Sequence, residues 1–333
     1  MKERLTDRFG RKHDYLRISV TDRCNLRCVY CMPAEGVRLI EHRQILRYEE
    51  IVRVVEAAAE LGVTRIRLTG GEPLVRKGIE TLVKGIAAVP GITDLSMTTN
   101  GVLLAGMARA LKEAGLKRVN ISLDSLVTGT YRRITRCGNL PDVLAGIKAA
   151  LDCGLDPVKV NVVLMKGVND LEIDSFFRLA IEYPISIRFI EYMPIDYHDG
   201  GWTEKYLPLQ AVLNRAADLG YPLEPADSSD CCGPAEMYRI PGALGLVGLI
   251  HPISGHFCSR CNRLRLTADG YLKPCLYWEE EFYVRPVLGD KAALKKLFGD
   301  ALERKKEKHG MSARGCGQKS KETPQRGMSM IGG

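Results

Sequence analysis

The chain has 333 residues, of which 45% are hydrophobic and 26% charged, a balance that excludes disordered and fibrous proteins. A formal net charge of +8 is compatible with a polyanionic partner, whether nucleotide, nucleic acid or acidic lipid, and does not choose among them. The charged N-terminus resembles no secretory signal and no apolar run approaches the roughly 20 residues of a spanning helix, so we expect a soluble, cytoplasmic protein with no membrane association.

From the N-terminus to about residue 220, short β-rich segments alternate with segments whose apolar residues recur every three or four positions. This alternation is typical of repeated βα units that form a parallel sheet. The predicted strands are 15–21, 65–70, 94–100, 118–124, 157–165 and 186–193. The helices predicted between them include 49–61, 103–114, 141–152 and 170–181. We therefore predict about six βα units.

Within the predicted strands, apolar residues alternate with polar ones, so each strand has one polar face. The side chains on that face include Arg17, Ser19, Thr21, Arg65, Arg67, Thr69, Asn120, Ser122, Asp124, Lys159 and Asn161. A closed eight-stranded barrel has a packed apolar interior, which this pattern disfavours. We predict an α/β fold, a partial (βα)6 barrel of the TIM type whose polar interior is the active site. An antiparallel sheet with one wetted face would alternate similarly, but the intervening helices disfavour it.

After about residue 225 the pattern changes to a Gly/Pro-rich stretch followed by short elements. These are predicted strands at 238–250 and 263–267 and a helix near 290–302. We predict a barrel domain over 5–225 and a smaller C-terminal region over 226–333 that packs on it. The basic tail over 304–326 contains no aromatic residue and is expected to be flexible.

Three cysteines, Cys24, Cys28 and Cys31, follow the first predicted strand in the spacing C-x-x-x-C-x-x-C. Cysteines in a chain without a secretory signal favour metal ligation or catalysis over disulfides. Thiolates are the usual ligands of iron-sulfur clusters, and three of them leave one iron of a four-iron cubane open to a small chelating molecule. Closed zinc sites need a fourth ligand, and no Cys or His lies between Cys31 and His42.

This motif, with Tyr30 before its last cysteine, resembles the signature of the radical S-adenosylmethionine (SAM) superfamily. The segment TGGEP at 69–73 ends the second predicted strand and resembles the superfamily segment that meets the amino group of SAM. Adjacent glycines allow close backbone approach, although alone such a segment would be an ordinary turn. The resemblance implies a reduced [4Fe-4S] cluster that cleaves SAM to methionine and a 5'-deoxyadenosyl radical, which abstracts hydrogen.

A second group of cysteines, Cys258, Cys261 and Cys275, lies in the C-terminal region. By itself this group is as compatible with structural zinc, with His251 or His256 as the fourth ligand, as with a cluster. In a chain that already carries the radical motif, a second three-cysteine [4Fe-4S] cluster with an open iron is favoured. That open iron is a candidate anchor for a substrate.

Arg263 and Arg265 lie between the second and third cysteines of this group, on one face of a short predicted strand. Guanidinium forks suit phosphate recognition, although such a pair is ordinarily a solvated edge. Beside a polar interior that already holds Arg17, Arg67 and Lys159, the pair favours a highly charged anion such as a triphosphate. The chain contains no P-loop sequence, so a nucleotide is not held in that way.

Both cysteine motifs, the Arg-x-Arg pair and the terminal Gly332-Gly333 together resemble the GTP 3',8-cyclases, which begin molybdenum cofactor biosynthesis. The resemblance covers nearly the whole chain and is thinnest at about 226–244 and 305–326. It implies that the ribose 3' hydrogen of GTP is abstracted, that C3' attacks guanine C8, and that the adduct is reduced to (8S)-3',8-cyclo-7,8-dihydroguanosine 5'-triphosphate. Clusters at opposite ends of one polar channel would place the radical source and the purine on either side of the ribose.

The resemblance also implies a role for each motif residue. The first cluster would be bound by Cys24, Cys28 and Cys31, and the second by Cys258, Cys261 and Cys275. SAM would be contacted by Tyr30, Gly71, Ser122 and Met193. GTP would be held by Arg17, Arg67, Thr98, Lys159, Arg263 and Arg265, with its guanine at the open iron of the second cluster. Gly332 and Gly333 would enter the active site and assist catalysis. Two of these assignments are not determined by side-chain chemistry: the choice of Thr98 over Thr99, and the choice of Met193.

Further implications of the resemblance concern partners. They are an electron donor of the flavodoxin or ferredoxin type, a downstream cyclic pyranopterin phosphate synthase, and a homodimer. The remaining cysteines, which are Cys137, Cys153, Cys231, Cys232 and Cys316, have no ligand spacing. Surface or packing roles are expected for His13 and His309.

Two alternatives remain open at this point. A peptide-modifying radical SAM enzyme with an auxiliary cluster would share the fold, but neither the terminal glycines nor the Arg-x-Arg placement. A non-catalytic zinc protein that binds nucleic acid through its positive charge belongs to a different class. Aromatic residues make up only 7% of the chain and the arginines are predicted to face an interior, so base stacking has little support and we expect no nucleic-acid partner.

Overall fold

A computed structural model describes residues 5–193, 202–226, 233–255, 257–310 and 326–332. Several residues discussed above lie outside the described residues, namely Cys231, Cys232, His256, Cys316 and Gly333. In the part of the chain that is described, no helix combines the length and the apolar character that crossing a membrane requires.

The six predicted barrel strands are present and pair in parallel in chain order. They are β1 (Tyr15–Ser19), β2 (Arg65–Thr69), β3 (Asp94–Thr99), β4 (Arg118–Ser122), β5 (Val158–Leu164) and β6 (Ile185–Glu191). Helices follow the strands, as βα units require. They are α1 (Tyr48–Glu60), α2 (Ile79–Ala87), α3 (Leu104–Glu113), α4 (Thr128–Thr135), α5 (Leu140–Asp152) and α6 (Ile173–Glu182). The predicted (βα)6 partial barrel is confirmed.

The hydrophobic core lies between the strands and the helices that cover them. Leu16 and Ile18 of β1 are completely buried, and so are Val54 and Val55 of α1. The apolar residues of α1 recur every three or four positions and form one stripe, which packs on the sheet while the polar side faces solvent. The other face of the sheet is thereby left for polar residues.

The C-terminal region continues the same sheet at both edges. Strand β10 (Arg263–Leu266) pairs in parallel with β1, and β9 (Leu246–Ile250) pairs in parallel with β6. Antiparallel strands extend each edge further; they are β8 (Glu236–Arg239), β11 (Tyr271–Lys273), β12 (Phe282–Tyr283) and β7 (Glu224–Pro225), the last of which directly precedes this region. Among the described strands the sheet ends at β12 on one side and at β7 on the other, and these two strands do not pair, so the barrel stays open.

Two predictions for the C-terminal region need correction. The single strand predicted at 238–250 is two antiparallel strands, β8 and β9, because Pro241 and Gly242 lie in the turn between them and Gly242 has a φ of +80°. The tail predicted to be flexible begins with ordered residues, since Lys305 and His309 are buried.

The remaining helices are α7 (Trp202–Lys205), α8 (Gln210–Asp218), α9 (Lys291–Glu303) and α10 (Met328–Ile331).

Arg11 ties the N-terminal segment to the C-terminal region. Its guanidinium pairs with the buried Asp7 carboxylate, 2.6 Å from Nε to Oδ2, and donates to the carbonyl of Cys258 at 2.9 Å and to the two carbonyls of 306–307. His13 contacts the same carboxylate at 3.0 Å, and burial lowers its pKa to about 4, which keeps the ring neutral. His13 thus has the packing role expected from the sequence.

We expect Arg11→Ala to lower the free energy of unfolding by about 3 kcal/mol, because it leaves the buried Asp7 carboxylate without its ion-pair partner. Guanidinium denaturation of the anaerobic protein measures this loss. The exposed neighbour Lys12 provides the control, and Lys12→Ala should change stability by less than about 0.5 kcal/mol. Equal losses in the two variants would show that the contacts of Arg11 are not stabilising.

Candidate active site

Three arginines lie side by side on the inner face of neighbouring strands. Arg17 of β1 is the register partner of Arg265 on β10 and of Arg67 on β2. All three are buried, and burial together with neighbouring guanidinium groups lowers their pKa values, that of Arg265 to about 10. Like charges held together away from water repel one another, so this arrangement is suited to binding a highly charged anion.

The polar inner face continues across β4, β5 and β6. Asn120, oriented with its amide oxygen toward the two guanidinium groups, accepts hydrogen bonds from Arg67 and Arg188. Lys159 is the register partner of Asn120 on the neighbouring strand and is buried. Arg188 also lies on this face and was not predicted from the sequence, although it stands between the apolar residues Ile187 and Phe189. Burial and the neighbouring Arg67 lower the pKa of Arg188 to about 9.

Several polar atoms on this face are buried without a hydrogen-bond partner among the described residues. They are Thr98 Oγ1, Asn161 Oδ1 and Arg188 Nε. Each costs free energy unless another molecule satisfies it, so the set fits a polar ligand in the interior. The choice between the two threonines is also clarified: Thr98 is the register partner of Asn120, whereas the Thr99 hydroxyl donates to Glu72 at 2.7 Å.

The first cysteine loop begins beyond the carboxyl end of β1. Burial raises the pKa of the Cys28 thiol, and the neighbouring thiols of Cys31 and Cys24 raise it further. Two N–H groups point at Cys24 Sγ, that of Leu26 at 3.4 Å and the side-chain amide of Asn100 at 3.9 Å. Neighbouring cysteines with N–H donors at one sulfur suit thiolate ligands of an iron-sulfur cluster.

The TGGEP segment packs against this loop. The Gly71 N–H donates to the Thr21 carbonyl at 2.7 Å, and the Glu72 N–H donates to the Arg23 carbonyl at 2.8 Å. A Cβ atom on Gly71 would lie 2.7 Å from the Arg23 carbonyl carbon, which is too close for any side chain. The close approach that the adjacent glycines allow is therefore between the backbone of this segment and the cysteine loop. The Glu72 carboxyl accepts from the backbone N–H of Asn100, and burial raises its pKa to about 7.

The remaining predicted SAM residues lie at the same end of the sheet. The Tyr30 hydroxyl donates to the buried Asp124 carboxyl at 2.6 Å, and burial raises the pKa of Asp124 to about 6. Ser122 ends β4 and is the register partner of Asn161. Met193 follows β6 and packs with Tyr30 against one apolar cluster. The structure thus brings the predicted residues together around the carboxyl ends of β1, β4 and β6.

The second cysteine group repeats the turn of the first. The Cys261 N–H donates to the Cys258 carbonyl at 3.1 Å, as the Cys31 N–H donates to the Cys28 carbonyl at 2.9 Å. Burial would raise the pKa of the Cys261 thiol, but the positive charges of Lys305 and Arg263 outweigh it and lower the pKa to about 6. These positive charges therefore favour the thiolate form of Cys261.

The role of Lys305 was not predicted from the sequence, because this residue lies in the segment that was expected to be flexible. Its ammonium group donates to the carbonyl of Arg263 at 2.7 Å and to that of Pro274 at 2.5 Å. Arg263 and Pro274 are close in sequence to Cys261 and Cys275, respectively. Lys305 thus holds two parts of the second cysteine group together.

The zinc interpretation of this group loses support. Both ring nitrogens of His251 face carboxylates, Nδ1 lying 3.9 Å from Glu191 and Nε2 lying 3.7 Å from Glu236. Within the described ranges, no three His, Cys, Asp or Glu side chains are grouped so that they could hold one metal ion. The ligands of a cubane bind separate irons and need not meet at one point, so the cysteines fit a cluster better than zinc.

The two cysteine groups lie at opposite ends of the parallel sheet. The first follows the carboxyl end of β1, whereas Cys261 precedes the amino end of β10, which runs parallel to β1. The row of Arg265, Arg17 and Arg67 lies in the middle of these strands. The arginine row therefore lies between the two candidate cluster sites.

The C-terminal tail reaches the same interior. Arg265 donates to the Gly332 carbonyl, and a Cβ atom on Gly332 would lie 2.5 Å from a methyl group of Thr69. Gly332 also has a φ of +77°, a conformation that other residues rarely adopt. The structure thus brings Gly332 to the arginine row, while Gly333 is outside the described residues.

Comparisons with known proteins agree with this geometry. A family model described as the Radical SAM superfamily matches residues 18–180, and one described as Molybdenum Cofactor Synthesis C matches residues 185–311. The GTP 3',8-cyclase of Listeria monocytogenes serovar 1/2a is 52% identical over 330 residues, covering 99% of each chain. That of Moorella thermoacetica is 52% identical over 332 residues, covering 99% of this chain and 100% of its own.

The chain belongs to the GTP 3',8-cyclase family. Its predicted radical SAM character is confirmed, as are the family cofactors, S-adenosylmethionine and two [4Fe-4S] clusters. The structure of Streptococcus suis SuiB bound to S-adenosylmethionine is 16% identical with a TM-score of 0.56, covering 79% of this chain and 60% of SuiB, and this likeness shows the fold. The relationship to GTP 3',8-cyclases over the whole chain leaves no support for the peptide-modifying or nucleic-acid-binding alternatives.

We expect Gly71→Ala to remove the first cluster, because the added methyl group would push the backbone at Arg23 and displace the cysteine loop. Iron content should fall to about half of that of the wild type, since only one of two clusters is affected, and SAM should no longer be cleaved. Gly106 of α3 is the matched control, because a Cβ there has no neighbour within 4 Å. Full iron content with normal SAM cleavage in the Gly71 variant would refute this role.

Proposed function

We propose that this chain cyclises GTP to (8S)-3',8-cyclo-7,8-dihydroguanosine 5'-triphosphate, the first step of molybdenum cofactor biosynthesis. One observation carries the proposal: a row of buried arginines lies between two three-cysteine groups at opposite ends of a parallel sheet. A substrate that carries a polyanionic group at one end and a purine base at the other fits this arrangement.

The triphosphate is held by the arginine row together with Lys159 and Arg263. Guanidinium forks bind phosphate oxygens through paired N–H groups, and burial strengthens these contacts because water competes less. Asn120 orients Arg67 and Arg188, so both guanidinium groups are fixed before substrate arrives. Thr98 Oγ1 and Asn161 Oδ1 offer further polar contacts to the ribose and phosphates.

The carboxyl ends of the strands hold SAM through Tyr30, Gly71, Ser122 and Met193. When bound to Cys24, Cys28 and Cys31, the first cluster and SAM supply the radical that removes the 3' hydrogen of GTP. Asp124 fixes the Tyr30 hydroxyl, and Glu72 fixes the backbone at Asn100, whose amide faces Cys24. These contacts keep the first cysteine loop in one position relative to the ribose.

At the other end, Cys258, Cys261 and Cys275 hold the second cluster next to the guanine. Lys305 favours the thiolate form of Cys261 and links the two segments that carry the ligands. The terminal Gly332 and Gly333 assist catalysis, and Gly332 lies beside Arg265.

The reaction also defines the partners of the enzyme. Reduction of the cyclised adduct requires electrons, so a flavodoxin- or ferredoxin-type protein donates them, and a cyclic pyranopterin phosphate synthase consumes the product. The enzyme acts in the cytoplasm as a homodimer. Residues 5–225 supply the radical chemistry, and 226–333 supply the second cluster and part of the GTP site.

The proposal is tested by anaerobic incubation of the reconstituted protein with GTP, SAM and a reductant, with 5'-deoxyadenosine and the cyclised nucleotide measured together. We expect both products from the wild type. A Cys275→Ser variant should keep the first cluster and about half the iron, cleave SAM slowly, and form no cyclised nucleotide. SAM cleavage by the wild type without any change in GTP would rule out the proposed substrate.

A second test concerns the triphosphate. Replacing both Arg263 and Arg265 with alanine should weaken GTP binding at least about 100-fold, because two charge-assisted contacts are lost. Equilibrium dialysis without SAM measures binding apart from turnover. Arg260→Ala is the control, since Arg260 is exposed in the same loop and should leave the dissociation constant unchanged. An unaltered affinity in the double variant would show that the pair does not bind GTP.

A further inference from the structure

The C-terminal tail is fixed to the protein by an arginine just before it enters the interior. Arg326 Nη1 lies 2.8 Å from Asp269 Oδ2, and its Nε lies 2.8 Å from Glu281 Oε1. The guanidinium carbon lies 4.8 Å from the centre of the Tyr271 ring. Two carboxylates and one aromatic face thus surround a single guanidinium group, which we call the Arg326 socket.

The socket is built from parts that are themselves held in place. Asp269 accepts a hydrogen bond from the Thr267 hydroxyl at 2.6 Å, through the oxygen that Arg326 does not use. Glu281 also pairs with the buried Lys273 at 2.9 Å, and Tyr271 stacks on the ring of Tyr283. The three side chains therefore form a preorganised site at the edge strands β11 and β12, and little ordering is needed when the guanidinium binds.

From Arg326 the chain leads directly to the arginine row. Met328 packs against the apolar cluster that also contacts Tyr30, Ile331 is completely buried, and the Gly332 carbonyl accepts from Arg265. The N–H groups of Met330 and Gly332 are bonded within this short segment, at 3.0 and 3.1 Å. The path of the tail is therefore set at both of its described ends.

We propose that the Arg326 socket is an intramolecular docking site that positions the terminal glycines for the reaction, with Arg326 as a positioning residue that does not touch the substrate. This inference rests on the proposed function, in which those glycines assist catalysis. A tail fixed close to its end has a far higher local concentration at the active site than a free tail, so docking raises the fraction of enzyme that is ready to react.

The test is amide hydrogen exchange of residues 327–332 in the full-length holoenzyme, measured by mass spectrometry without GTP. We expect Arg326→Gln to speed exchange of the Met330 and Gly332 amides at least tenfold. Asp269→Asn, which keeps the acceptor for Thr267, should act in the same direction. Combining the two substitutions should add little, because Arg326→Gln already removes the ion pair with Asp269. Arg326→Lys keeps the charge without the planar fork and should restore protection in part.

Arg304→Gln is the matched control, because Arg304 is an exposed arginine at the end of α9 and should leave tail exchange unchanged. Turnover with GTP gives the second readout, where Arg326→Gln should lower kcat several-fold with little change in KM. Unchanged tail exchange in Arg326→Gln would overturn the socket. Faster exchange with unchanged kcat would overturn the positioning role. Exchange is measured without GTP, so the socket is decided even if the wild type proves unable to cyclise GTP.

Discussion

The burial of like charges inside an open barrel is the constraint on which the rest of the structure depends. Arg17, Arg67, Arg188 and Arg265 lie on one inner face, all of them buried. Such a set is tolerated only where the apolar residues have another place to pack, and here they pack between the strands and the covering helices. The interior is consequently free to be a site for a polyanion.

A second constraint is the close packing of the TGGEP segment on the first cysteine loop. Gly71 leaves no space for a side chain, and its neighbour Glu72 holds the backbone at Asn100, whose amide faces Cys24. The motif therefore acts on the cluster ligands through the backbone as well as being a candidate contact for SAM. One short segment thereby connects the end of β2, the end of β3 and the cysteine loop.

Local sequence predicted the strands and most of the inner face, because alternation and cysteine spacing are local properties. Arg17, Arg67 and Lys159 were found in this way. The parallel pairing of β9 and β10 with the barrel was not, since pairing between distant segments leaves no local pattern. Arg188 was missed although its strand alternates, whereas Arg11 and Lys305 were missed because their role arises from carbonyl groups that only the folded chain brings together.

Arg265 belongs both to the arginine row and to the contact with the tail, and these two roles are compatible. A guanidinium group has five N–H donors, and the Gly332 carbonyl uses only Nη1, so donors remain for phosphate oxygens. A lysine has one ammonium group and would have to serve a carbonyl and a phosphate from the same point. In the proposed function the tail and the triphosphate share one rigid side chain, which fixes Gly332 relative to the triphosphate. The register of β10 against β1 thus sets the position of Arg265, and through it that of the tail.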